Sequence, residues 1–159
     1  MLPVSAYRVP AHTAPSINES IRRHTAASVA FYARHPELID DRLRELDVEW
    51  DVERILETMS AAISLVGIIG FLAGRRRWLV LPLAIQAFFL QHAVQGWCPP
   101  LPVLRRLGFR TPDEIDRERY ALKALRGDFL DVDSADAANK ADAALEATMQ
   151  LNGWHKERM

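Results

Sequence analysis

The chain has 159 residues, 49% hydrophobic and 26% charged, with a net charge of −1 and one cysteine. That is enough for one domain with a sizeable core, in the proportions of an ordinary soluble protein. It excludes an intramolecular disulfide framework, and no basic patch of the kind that holds nucleic acid is present.

The average hides a segregation of charge. Glu37 to Glu57 holds nine acids and three arginines. Thr58 to Gly74 holds no charge, and neither does Trp78 to Leu104. Arg105 to Arg126 carries seven bases against four acids. Polar flanks around an apolar insert are the pattern that results.

Residues 1–15 contain Pro3, Pro10 and Pro15 with little periodicity, and read as a disordered tail. They lack the basic-then-apolar order of a cleaved signal. Residues 16–57 read as an N-terminal helical segment. Ser16 is placed as an N-cap, with Glu19 completing a capping box, and a helix follows to about Arg34. Pro36 opens another, with Leu38, Ile39, Leu43 and Leu46 on one face. The acidic run through Glu57 reads as a solvated helix face. A divalent-cation site would need a compact loop of oxygen ligands, and none is visible.

The apolar insert, residues 58–104, predicts a two-helix transmembrane hairpin. A spanning helix needs about 20 mainly apolar residues, within about 17–25. Thr58 to Gly74 gives 17 and Trp78 to Trp97 gives 20. At 1.5 Å per residue the two tryptophans lie roughly 28 Å apart, close to the roughly 30 Å hydrocarbon thickness. Trp78 and Trp97 are interface anchors, because the ring is apolar and its N–H wants a partner. Arg75, Arg76 and Arg77 in the turn anchor the other side by reaching headgroups. The turn is short, so the spans are antiparallel neighbours.

The first span shows a packing face. Ser60, Ser64, Gly67 and Gly74 share a stripe, and Gly70 with Gly74 makes a small-xxx-small pair. Small residues let helices approach closely in lipid, here against the second span or a second copy of the chain. On the second span Gln91, His92 and Gln95 form an intramembrane polar cluster, which must find hydrogen-bond partners. His92 and Cys98 are both metal-binding types, and a dimer could hold a haem iron through His92. One His and one Cys make an incomplete set, so no metal and no cofactor is expected. Cys98 ends the helix before Pro99 and Pro100. It is either a buried, inert thiol or a reactive one, and reactivity needs a lowered pKa.

Residues 105–130 read as a basic amphipathic helix. Thr111-Pro112-Asp113-Glu114 is a good start, and Ile115, Tyr120, Leu122 and Leu125 form the apolar side. That side faces the bilayer surface or the N-terminal helices. Residues 131–159 are an acidic, Ala-rich tail, with a helix over about 134–150. The fold class is therefore all-α, a membrane hairpin flanked by soluble or interfacial helices.

Gly96-Trp97-Cys98-Pro99, followed by Leu107-Gly108-Phe109-Arg110-Thr111, resembles the YgaP-like transmembrane domain family. The resemblance covers roughly residues 50–111. It implies a small bacterial inner-membrane protein, multi-pass, with Cys98 at the family's cysteine position. Some members of that family join the hairpin to a rhodanese domain that carries sulfur on a cysteine; none is legible here. Six arginines near the flanks (Arg42, Arg44, Arg54, Arg105, Arg106 and Arg110) outnumber the three of the turn and favour cytoplasmic termini. Two functions remain. One is a non-enzymatic hairpin that anchors or associates, with the bilayer and a second copy as partners. The other is a membrane thiol protein that relays sulfur or redox equivalents through Cys98, with a sulfur carrier as partner.

Overall fold

A computed structural model describes residues 5–130, 132 and 139–149, and among them there is helix and no strand. In chain order the helices are α1 (Arg8–Ala11), α2 (Pro15–Tyr32), α3 (Ile39–Val48), α4 (Val52–Leu72), α5 (Val80–Gln95), α6 (Leu101–Arg106), α7 (Pro112–Arg126) and α8 (Lys140–Met149). Short 3-10 turns occupy Ser5–Tyr7, Pro36–Leu38 and Arg76–Leu79. The chain divides into two compact units, Met1–Arg22 with Trp50–Asp113, and Arg23–Glu49 with Glu114–Met159.

The first unit is built on the hairpin of α4 and α5. Asp51 caps α4, its carboxylate accepting the Arg54 N–H at 2.8 Å, so one orphan amide of the first turn is satisfied. The helix then runs 21 residues without a breaker and turns at Gly74, whose φ of +85° suits only glycine well. Both α4 and the stretch Arg76–Gln95 are long and apolar enough to cross a membrane. The two meet along the small residues of α4. A methyl group at Gly67 would lie 3.1 Å from the Trp78 carbonyl oxygen and closer still to Pro82 Cδ. At Gly70 it would lie 2.5–2.7 Å from the Trp78 ring. Gly74 has nothing within 4 Å and contributes the turn alone.

Halfway along, Gln86 of α5 donates to Ser60 Oγ at 3.1 Å and to Ser64 Oγ at 2.9 Å. Nearer the start of α4, Val52 and Leu56 join Val9, Cys98, Leu101 and Leu104 in one apolar cluster, with Trp97 packed against it. Val9 is therefore core, and residues 5–15 are not the disordered tail that their prolines suggest. Pro10 lies inside the single turn of α1, and Pro15 is the first residue of α2, where its missing N–H costs nothing. Ser16 lies inside α2 and does not cap it; Glu19 accepts from the Arg22 guanidinium instead. The buried Arg105 of α6 ties this arm down, donating to Thr13 Oγ1, Asn18 Oδ1 and the Phe109 carbonyl.

The second unit is held by α3 and α7. Ile39, Leu43 and Leu46 pack against Ile115 and Leu122, with Tyr32 at the edge. The apolar side of α7 is thus covered by α3 at Ile115 and Leu122, while Tyr120 and Leu125 stay exposed. The basic stretch 105–130 is two helices, α6 and α7, broken at Gly108. Fully buried Glu118 accepts from Ser28 at 2.6 Å and from Arg42 at 2.9 Å. Hydrogen bonds donated to the Asp128 carboxylate raise the Arg126 guanidinium above its ordinary range, partly against burial, with Asp40 adding to the rise. Burial pushes the Lys123 ammonium below its ordinary range, with Arg126 and Arg119 adding to the fall and Asp128 and Asp47 opposing it. Its Nζ donates to the carbonyls of Ala147 and Thr148 in the last turn of α8, the negative end of that helix. In the tail region α8 covers Lys140–Met149; residues 131, 133–138 and 150–159 lie outside the described ones.

Candidate functional site at the end of the hairpin opposite the arginine turn

The site begins with Gly96. It ends α5 in the left-handed conformation, φ +79°, and its N–H closes on the His92 carbonyl at 2.7 Å. A side chain here would also strike the Arg8 backbone, 2.5 Å from where its Cβ would stand. Glycine is needed twice, for the turn and for the approach of α1. The chain reverses, and Cys98 comes to rest buried in the apolar cluster.

His92 is 1% exposed. Its Nε2 lies 2.9 Å from Glu53 Oε2 in the first turn of α4. A carboxylate only accepts, so Nε2 is the nitrogen that carries the proton. Arg8 completes a chain of three, donating Nη2–H to Glu53 Oε1 at 2.9 Å and Nη1–H to the Ala93 carbonyl at 3.4 Å. The second ring nitrogen, Nδ1, is buried and makes no hydrogen bond of regular geometry. Cys98 is nonetheless close enough to act on the imidazole.

A cavity of about 210 Å³ opens between α4 and α5, lined by Leu56, Met59, Ser60, Ile63, Ile85, Phe88 and Phe89, with Cys98, Pro99 and Pro100 at one end. Its walls are almost wholly carbon. An acid–base pair, a thiol and an apolar cleft therefore converge within one unit. These are residue types that serve in other proteins as nucleophile, base and orienting group.

The residues singled out from the sequence are distributed as follows. Ser60 and Ser64 bind Gln86, and Gly67 and Gly70 meet the start of the second helix. Of the polar cluster, His92 is buried, Gln91 is half-buried and Gln95 is exposed. Trp78 lies on Gly70, and Arg75, Arg76 and Arg77 are exposed. Among the described residues no group of three or more His, Cys, Asp and Glu side chains could hold a metal ion. Sequence reasoning passed over Arg8, Glu53 and Gln86 as functional residues. A signal for Glu53 did exist, since stepping back seven residues from Ser60 along the Ser60–Gly67 stripe lands on it. No family model matches this chain, and no curated protein and no solved structure matches it.

Proposed function

We propose that this chain is an integral membrane protein of the YgaP-like kind. Its α4–α5 hairpin crosses the bilayer and serves, without chemistry of its own, to anchor or associate the helices on either side. One observation carries the reading. Leu65, Val66, Ile69 and Leu72 on α4, and Leu83, Leu90 and Val94 on α5, are 46–76% exposed. Fully burying such a side chain is worth about 1.5–3 kcal/mol. Scaled for partial exposure, the seven left in water would forgo roughly 6–13 kcal/mol. That is as large as the whole net stability of a typical domain, about 5–15 kcal/mol. A bilayer covers both helices at once, with Trp78 near one interface and Trp97 near the other.

The bacterial inner membrane, multi-pass, is the location the resemblance supports, and the arginine count favours termini in the cytoplasm. The bilayer is the first partner and a second copy of the chain the next. Alkaline carbonate extraction of membranes should leave the protein in the pellet. Recovery in the supernatant without detergent refutes the reading.

A second reading has one observation in its favour. If Cys98 is a working thiol that relays sulfur or redox equivalents to a carrier, it needs a neighbouring group to handle its proton, and His92 is close enough to act on it.

A further inference from the structure

We infer that the turn between α4 and α5 is a docking surface for anionic phospholipids, the guanidinium groups of Arg75, Arg76 and Arg77 each taking the headgroup phosphate of one lipid such as phosphatidylglycerol. The inference rests on the membrane reading and names which lipids of the bilayer the hairpin selects.

The turn carries a charge that its surroundings do not answer. Arg8, Arg22, Arg42, Arg44, Arg119 and Arg126 each hold a carboxylate. Arg75, Arg76 and Arg77 are exposed, and among the described residues their side chains make no hydrogen bond, ion pair or ring contact. No acid lies between Glu57 and Asp113 in the chain. Glu57 stands roughly 23 Å along α4 from its last residue, Leu72. Asp113 follows Arg110, whose carbonyl accepts from the Val52 N–H at the opposite end of that helix. Such distances are well beyond the Debye length of about 8 Å. Three positive charges are therefore left for anions from outside the unit.

The apolar residues beside the turn make the anion a lipid. Leu72, just before the arginines, is 76% exposed, and Val80 and Leu83, just after them, are 67% and 69% exposed. In a bilayer those side chains take the acyl region, which sets the guanidinium groups at phosphate depth. A zwitterionic lipid brings an ammonium with its phosphate, and the two nearly cancel at a distance. An anionic lipid keeps its charge, and a guanidinium offers its phosphate two parallel N–H bonds. The turn also fixes the number. Arg76 and Arg77 belong to the 3-10 turn Arg76–Leu79, where successive residues point about 120° apart. Trp78 lies on Gly70 and takes the direction toward α4. The two arginines before it are thus sent outward and apart, and Arg75 precedes them in a non-helical conformation. That spread suits three separate, singly charged headgroups and not a clamp on one.

The test is native mass spectrometry of the full chain in dodecyl maltoside, with equimolar phosphatidylglycerol and phosphatidylcholine of matched acyl chains. Phosphatidylglycerol should be retained in preference, up to about three molecules per chain, one for each arginine. At about 1 kcal/mol per arginine near an anionic surface, Arg75→Gln, Arg76→Gln and Arg77→Gln should each lower the preference about 5-fold, and together about 100-fold. Lysine at all three positions keeps the charge and should keep most of the preference; a loss as large as with glutamine overturns the proposal. The variant Arg22→Gln, Arg34→Gln, Arg44→Gln matches the net charge of the triple glutamine variant and should bind as wild type does. Equal retention of the two lipids by wild type, or an undiminished preference in the triple glutamine variant, overturns the proposal. Displacement of the lipid by inorganic phosphate at matched ionic strength does so too, since the turn would then take the free ion. Carbonate extraction separates the failures. A chain that stays in the pellet but shows no preference overturns lipid selection alone, and a chain in the supernatant overturns the membrane reading.

Discussion

Gly67 sits where α4 and the start of α5 come closest, so a side chain there tests the hairpin directly. Carbon atoms rest about 3.5–4.0 Å apart. The methyl of Gly67→Ala would stand 3.1 Å from the Trp78 carbonyl oxygen and nearer to Pro82 Cδ, a ring carbon that cannot swing aside. The helices must part by about 1 Å to restore ordinary contact. A gap of that size forfeits roughly a quarter to a half of each dispersion well along the seam. It also lengthens the 2.9 Å and 3.1 Å bonds from Gln86, one turn away, each worth about 0.6 kcal/mol between membrane helices. Overpacking of this kind costs about 1–3 kcal/mol. Alanine recovers up to about 1 kcal/mol in helix propensity, so Gly67→Ala should lose about 1–2 kcal/mol. Gly67→Leu and Gly70→Leu should lose more, about 2–4 kcal/mol with the hydrogen bonds included. The measurement is unfolding by SDS in dodecyl maltoside micelles, followed by tryptophan emission. Ile69→Leu, on the outward face, is the control. Midpoints for Gly67→Leu and Gly70→Leu that coincide with this control would show that the glycines meet nothing but lipid.

Two further outcomes follow from single contacts. Gln86→Leu removes both interhelical bonds but leaves Ser60 and Ser64 able to turn back on their own helix carbonyls, so it should cost only about 1 kcal/mol in the same titration. Lys123 has a folded pKa below its unfolded value near 10.4. The unfolded chain therefore binds more protons between the two values. Stability should rise as pH climbs toward about 10.4, and the full charging penalty is carried below the folded pKa. Thermal unfolding of wild type and Lys123→Met at pH 7 and pH 9.5 should show a gain with pH in wild type that the variant lacks. Parallel responses refute it.

How much of this was legible in the sequence depends on the range of each interaction. The two helices of the hairpin could be read because an uncharged run of spanning length declares itself within a single window. The small-residue stripe could be read too, being a property of one helix. The N-terminal arm could not. Three prolines look like breakers, yet Pro15 stands at a helix start, and Val9 is core only because α6 and α4 come to it. Glu53 was hidden differently. It sits in a block of nine acids, which reads as a solvated face, and its partner His92 is 39 residues away. Nothing in either local pattern marks the pair. Only the seven-residue step from Ser60 connects Glu53 to the packed side.

The polar groups inside the hairpin separate structure from chemistry. Gln86 is glue: both hydroxyls it faces are close, and its amide N–H groups are used. A histidine serving the same purpose would have each ring nitrogen engaged. His92 is held on one side by Glu53 and Arg8, and left bare on the other. A buried acceptor without a donor costs about 1–3 kcal/mol, more than a leucine of similar bulk would cost at that position. Three charged or polar side chains from α1, α4 and α5 thus meet in one hydrogen-bonded chain at this end of the hairpin.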